Sequence, residues 1–228
     1  MASNPTTRIG VLLLDAVQVL DVSPIDIFGM LSQSYLSTTP FPASLKAGAV
    51  PMEILYINQA GPDALHQCTA SLGLRVDASI TDKICAPPEE GGEKTLDILL
   101  IPGPDPWAYK PTDALNGFIK GHFGSGTDVL TICTGVYPAG HAGILNGRNV
   151  TGPRPLVPEL SKKFPEAAWG NEDKRWVSDG NLWSSEGGVT NGQDMVAAYI
   201  RQKWPGATAE AMIAMAEVGE RSQYYESP

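Results

Sequence analysis

The sequence predicts an α/β protein with a mostly parallel central sheet, helices on both faces and a small β-hairpin excursion. Three observations predict it. Short apolar runs recur at Arg8-Ile-Gly-Val-Leu-Leu-Leu14, Met52-Glu-Ile-Leu-Tyr-Ile57, Leu96-Asp-Ile-Leu-Leu-Ile101 and Asp128-Val-Leu-Thr-Ile132, as strands covered on both faces do. Helical stretches separate the later runs, the pattern of parallel pairing through crossovers. Proline and glycine punctuate the strand ends. At 228 residues and 43% hydrophobic composition the chain can bury one substantial core. No repeat or composition break divides it, so residues 1–228 read as one domain with a flexible start over 1–7.

Taken in order, the first strand ends at Asp15, and Val17-Gln-Val-Leu-Asp21-Val22 leads to Ser23-Pro24. Serine is a good N-cap and proline suits the first helical position, so a helix is expected to start there, with Asp21 just before it. Residues 32–51, rich in Ser, Thr and Pro, read as a loop extension. Leu72-Gly-Leu-Arg-Val76 reads as a strand of the hairpin excursion, and Pro87-Pro88-Glu-Glu-Gly-Gly as a solvated turn. After Ile101, Pro102-Gly103-Pro104-Asp105-Pro106-Trp107-Ala-Tyr109 forms a rigid loop. Trp107 and Tyr109 either wall a pocket beside it or cover the sheet edge. Thr112 to Lys120 is a short helix, Gly147 to Thr151 a short strand, and Leu156 to Phe164 a helix stopped by Pro165. Asp179-Gly180 suits a type I′ hairpin turn, which would set Trp176 opposite Trp183. Helices from about Val189 to Trp204 and over Thr208 to Glu217 close the chain.

Charge and cysteine content narrow the function. A net charge of −9 and a pI near 4.8 argue against a nucleic-acid partner. No apolar stretch reaches bilayer-spanning length and the start lacks a leader-like apolar region, so a cytoplasmic protein without a membrane partner is expected. Cys68, Cys85 and Cys133 have no metal-binding spacing, and there are only three histidines. Reduced thiols are expected, with neither metal nor cofactor. Cys68 and Cys85 read as packed or inert thiols.

Cys133 is different. Asp128-Val-Leu-Thr-Ile-Cys133-Thr134-Gly135 reads as a buried strand turning directly into a helix. At that corner the N–H groups and dipole of the new helix favour a thiolate, with a pKa in the range of roughly 3.5–7.5. Pro138 is expected either to kink that helix and widen the pocket floor or to be tolerated as packing.

Six segments in this order carry a resemblance over roughly Arg8 to Trp204. They are Arg8–Leu14, Val17-Gln-Val-Leu-Asp21, Ile101-Pro102-Gly103, Ile132-Cys133-Thr134-Gly135, Ala142-Gly143-Ile-Leu-Asn-Gly147-Arg, and Gly187-Gly188-Val-Thr-Asn-Gly-Gln-Asp194. Together they resemble the ThiJ/PfpI superfamily, and within it the isonitrile hydratase branch. The resemblance implies a flavodoxin-like sandwich, a homodimer and a cofactor-independent lyase acting on a small molecule. Cys133 would attack the isonitrile carbon, with Asp21 and Thr134 assisting and water releasing an N-substituted formamide. Gly103, Pro104, Trp107, Tyr109, Gly152 and Pro153 would line the pocket.

Two departures bear on the reaction. Many relatives have Gly-Gly where this chain has Gly103-Pro104, and proline has no N–H to offer an oxyanion. Hydrolase and glyoxalase relatives carry a histidine where this chain has Thr151-Gly152-Pro153, while His141 lies about 12 Å further along its helix. A thiol–carboxyl pair remains, a workable device for adding water to an electrophile. The alternatives are a glutathione-independent glyoxalase or deglycase, a cyclising lyase of specialised metabolism, and a thiol redox sensor.

Overall fold

A computed structural model describes residues 5–89 and 92–226. Seven strands form the central sheet, in the order β5-β2-β1-β6-β7-β9-β8. They are β1 (Thr7–Leu12), β2 (Met52–Asn58), β5 (Ala78–Ser79), β6 (Ile98–Ile101), β7 (Asp128–Thr131), β8 (Trp176–Asp179) and β9 (Leu182–Ser185). Every neighbouring pair is parallel except β8–β9. The excursion is the antiparallel pair β3 (Leu65–Gln67) and β4 (Gly73–Arg75).

Strand residues alternate between two cores, as the pleat requires. Ile9, Val11, Ile98 and Leu100 face one side, with Phe28, Leu36, Met195 and Met212 from helices α2 (Ile25–Leu31), α3 (Gln33–Thr38), α8 (Asn191–Lys203) and α9 (Ala207–Met215). Leu12, Leu99, Ile101 and Val129 face the other, with Ile119, Tyr137 and Leu160 from α5 (Asp113–Gly124), α6 (Val136–His141) and α7 (Val157–Lys163). Helices therefore cover both faces of the sheet.

Several local expectations are corrected. Residues 32–51 are not a plain loop: α3 starts on a Ser32 cap, whose hydroxyl accepts the Tyr35 N–H, and a second helix, α4, spans Ala43–Lys46. Tertiary packing explains both, since Leu36 is fully buried and the Thr208 hydroxyl donates to Leu45 C=O. A helical turn, α1 (Val19–Val22), precedes Ser23, so Asp21 lies inside a helix. The Ser23 hydroxyl donates back to Leu20 C=O and caps nothing ahead of it. Residues 147–151 form only an isolated bridge, Asn149 to Ala168.

In the β8–β9 hairpin Asp179 pairs with Leu182, leaving Gly180-Asn181 as the two-residue turn. Gly180 takes φ +63° there. The shift sets Trp176 opposite Ser185 and Trp183 opposite Ser178, so the two indoles are diagonal neighbours in one core. Thr7 already belongs to β1, while Met1–Asn4 of the expected flexible start, and Glu90–Gly91 of the solvated turn, lie outside the described residues. No helix among the described residues is long and apolar enough to cross a membrane.

Candidate active site

The carboxyl ends of β1, β6, β7 and β9 converge, and the segments leaving them enclose a cavity of about 900 Å³. Ligand sites in open α/β sheets gather at such ends. Its floor carries Cys133, Asp21 and Thr134, and its walls include Gln18, Trp107, Pro153, Leu156 and Glu186.

Cys133 follows β7 and opens a 3-10 turn, Cys133–Gly135, before α6 begins. Its φ is +54°, a left-handed conformation rare for a residue with a Cβ. The corner is fixed from outside the turn, because the Cys133 N–H donates to Ser185 Oγ at 3.2 Å. Gly135 permits the tight return, since a Cβ there would run into the Ile101 carbonyl. Helix α6 restarts at Val136, so Pro138 falls in its first turn, where a missing N–H breaks no bond.

Asp21 is 1% exposed, hydrogen-bonds the Cys133 thiol and accepts the Gly103 N–H. One of its oxygens, Oδ1, has no partner. Gly103 is required by closeness: a Cβ there would lie 2.6 Å from Asp21 Oδ2 and press on the Thr134 hydroxyl. That hydroxyl donates to Pro104 C=O at 2.7 Å and so pins the loop after β6 to the corner after β7.

Burial dominates the electrostatics. It lifts the Asp21 carboxyl from 3.8 to about 7, against the hydrogen bonds from Cys133 and Gly103. Burial, then the Asp21 charge, push the Cys133 thiol up to about 12, outweighing the favourable Thr134 N–H. The thiol is therefore not depressed by its place before a helix, contrary to the sequence expectation. Between those values the two groups hold one proton between them.

Of the residues expected in the pocket, Gly103, Pro104, Trp107 and Pro153 line it with the floor residues. Tyr109 and Gly152 do not. Tyr109 turns towards the His141 ring, 6.0 Å away, and borders a separate small cavity beside His66. Gly152 is packed against Val136, Leu160 and Trp169. His141 stacks edge-on against Phe164 and is not among the cavity residues. Cys68 and Cys85 are buried elsewhere, the latter donating its S–H to Ser79 C=O.

Glu186 is the wall residue that sequence reasoning passed over. It is 5% exposed and follows directly on β9. Burial alone would raise its pKa, but Tyr225, the N–H groups of Gly188 and Arg154, and the Arg154 charge hold it below the ordinary value. The available signal was its place after a strand and before Gly187-Gly188. Among the described residues no group of three or more His, Cys, Asp or Glu side chains could hold a metal ion.

The fold and the corner define a class: flavodoxin-like α/β proteins with a cysteine where a central strand turns into a helix. This chain belongs to the DJ-1/PfpI family, whose model matches residues 42–202. Gly103, Cys133 and Thr134 lie within that match, and Asp21 lies before it. Drosophila melanogaster DJ-1beta superposes with a TM-score of 0.72 at 13% identity, over 94% of this chain and 99% of that one. A ThiJ/PfpI family protein from Pseudomonas syringae gives 0.71 at 18% identity, over 96% and 78%. An AraC family transcriptional regulator from Pseudomonas putida gives 0.69 at 14% identity, over 92% and 99%. At these identities the likeness is one of fold. A search of curated proteins found no match.

Proposed function

We propose that this protein adds water to an isonitrile-like electrophile, giving an N-substituted formamide, with Cys133 as nucleophile and Asp21 as its proton partner. The observation that carries the reading is the Cys133 thiol and the buried Asp21 carboxyl side by side on the cavity floor, with no imidazole beside them. In the first step the Cys133 sulfur bonds to the terminal isonitrile carbon and the shared proton moves to that carbon, giving a thioimidate. Water then adds to the same carbon, with one of its protons passing to nitrogen through Asp21. The C–S bond breaks, the formamide leaves and the remaining water proton returns to the pair, so R–NC and H₂O balance R–NH–CHO. A carboxyl near neutrality suits both directions of transfer.

The surrounding donors favour this over acyl transfer. Gly103 N–H is taken by Asp21, Pro104 has none, and the Thr134 hydroxyl hydrogen is taken by Pro104 C=O. A tetrahedral oxyanion would find few donors, whereas thioimidate formation develops no oxyanion. Thr134 then acts by holding the loop and by aiming its own N–H at the sulfur.

A second reading has one observation in its favour. The cavity, at about 900 Å³, is of a size that takes drug-sized ligands, so a larger apolar substrate could be cyclised or cleaved with Asp21 as acid–base. The two readings separate in one experiment. Wild-type protein incubated with cyclohexyl isocyanide should give N-cyclohexylformamide, and Cys133→Ala should give none while keeping its circular dichroism spectrum. Absence of formamide with wild type overturns the hydratase assignment.

A further inference from the structure

The segment after α9 does not leave the body of the protein. Residues 217–226 form a strap held almost wholly by polar contacts. Gly219 N–H donates to Asp194 Oδ1 at 2.9 Å, and Gln223 Nε2 to Trp176 C=O at 2.8 Å. Arg175 Nη1 donates to the carbonyls of Ser222 and Tyr224, at 2.7 and 2.6 Å. Val218 packs partly against the core.

The strap reaches the candidate active site through Glu186, a residue of the cavity wall. Tyr225 OH donates to Glu186 Oε2 at 2.6 Å and accepts from Asn191 Nδ2 at 2.8 Å. The guanidiniums of Arg154 and Arg175 lie 3.7 and 4.2 Å from the Tyr225 ring centroid, within cation–π reach. Glu186 in turn gathers the cavity wall. Its Oε1 accepts Arg154 N–H at 3.2 Å, beside Pro153 and Pro155, and its Oε2 accepts Gly188 N–H at 2.8 Å. It also follows Ser185, which fixes the Cys133 amide. So many donors leave Glu186 no capacity for proton chemistry; its work is to hold two wall loops in register.

We propose that Tyr225 is a positioning residue for this site: through its bond to Glu186, the strap sets the wall beside Cys133 and so decides what the cavity admits. This rests on the cavity being the reaction site. Few apolar contacts anchor the strap, so its opening is among the less costly local motions of the fold.

The test uses Tyr225→Phe, which keeps the ring against the guanidiniums and removes the O–H, and Tyr225→Ala, which removes both. Alkylation of Cys133 by iodoacetamide is followed on the folded full-length protein by peptide mass, with KM and kcat for cyclohexyl isocyanide measured alongside. The expected result is a change in alkylation rate of about tenfold for the Ala variant, with Phe between it and wild type. KM should rise by a similar factor with kcat nearly unchanged. Wild-type alkylation rates in both variants, even with a lowered Tm, overturn the proposal, because the strap would then only stabilise the fold. The alkylation arm needs no turnover, so it decides even if the isonitrile does not react, and the Phe variant decides if Ala fails to fold.

Discussion

Replacing Asp21 with asparagine isolates the shared proton. The folded carboxyl titrates at about 7 against an ordinary 3.8, so the native state binds this proton more tightly than the unfolded chain does. The stabilising effect is full below pH 3.8 and is lost progressively as pH rises through about 7. Each tenfold step in acidity is about 1.4 kcal/mol, so wild type carries a penalty of about 4 kcal/mol above neutrality. The substituted side chain has no charge to bury. Its new N–H₂ beside the partnerless Oδ1 position adds a cost that does not vary with pH, and so cancels. The stability of Asp21→Asn relative to wild type should therefore rise by about 3 kcal/mol between about pH 4.5 and about pH 8. Urea unfolding at both pH values, with m checked for constancy, measures it. The same variant should lose about a hundredfold in kcat as the acid–base group disappears. A stability difference that stays flat with pH refutes the reasoning, because Asp21 would then titrate in the ordinary carboxyl range and could not exchange a proton with the sulfur near neutrality.

The remaining predictions concern the frame of the site. Gly103→Ala should lower stability by about 2 kcal/mol and abolish turnover, since the new methyl displaces Asp21 Oδ2 and the Thr134 hydroxyl; urea unfolding and product assay together check it. Thr134→Val removes the donor to Pro104 C=O and should cost about 1–3 kcal/mol, read in the same unfolding assay. Trp107 is 83% exposed, so Trp107→Ala should change stability by less than about 0.5 kcal/mol. A KM that also stays unchanged would take the indole out of the substrate's path.

The parallel strands were legible because they are buried on both faces and written as unbroken apolar runs. So was the corner at Cys133, where a strand meets Thr134-Gly135 with no intervening loop. What failed depended on distant partners. Helices α3 and α4 are too short to stand on local preference and are supported by Leu36 burial and the contact from Thr208. The β8–β9 register turned on whether Asp179 or Gly180 opened the turn, and one residue changed which side chains face each other. Burial at the corner was invisible too, so the helix-start argument gave the wrong direction for the thiol. Glu186 gains its place from Arg154, from Asn191, whose Nδ2 donates to its Oε2 at 2.7 Å, and from Tyr225, 39 residues away in sequence, a convergence that no local pattern announces.

The backbone at Cys133 carries a consequence of another kind. Its φ of +54° suits glycine and, less well, asparagine, while a residue with a Cβ is disfavoured by about 1–2 kcal/mol. Folding alone gives glycine a backbone advantage at position 133, set against the contacts that the partly buried Cys133 side chain makes with the core. Cys133 shares this left-handed conformation with Asp15, Asp63, Ala70, Ser71 and Glu217, but of these six it alone lies on the floor of the large cavity. Under the proposed reaction, the strain at this corner is what accompanies turning a sulfur out of the sheet and into the cavity.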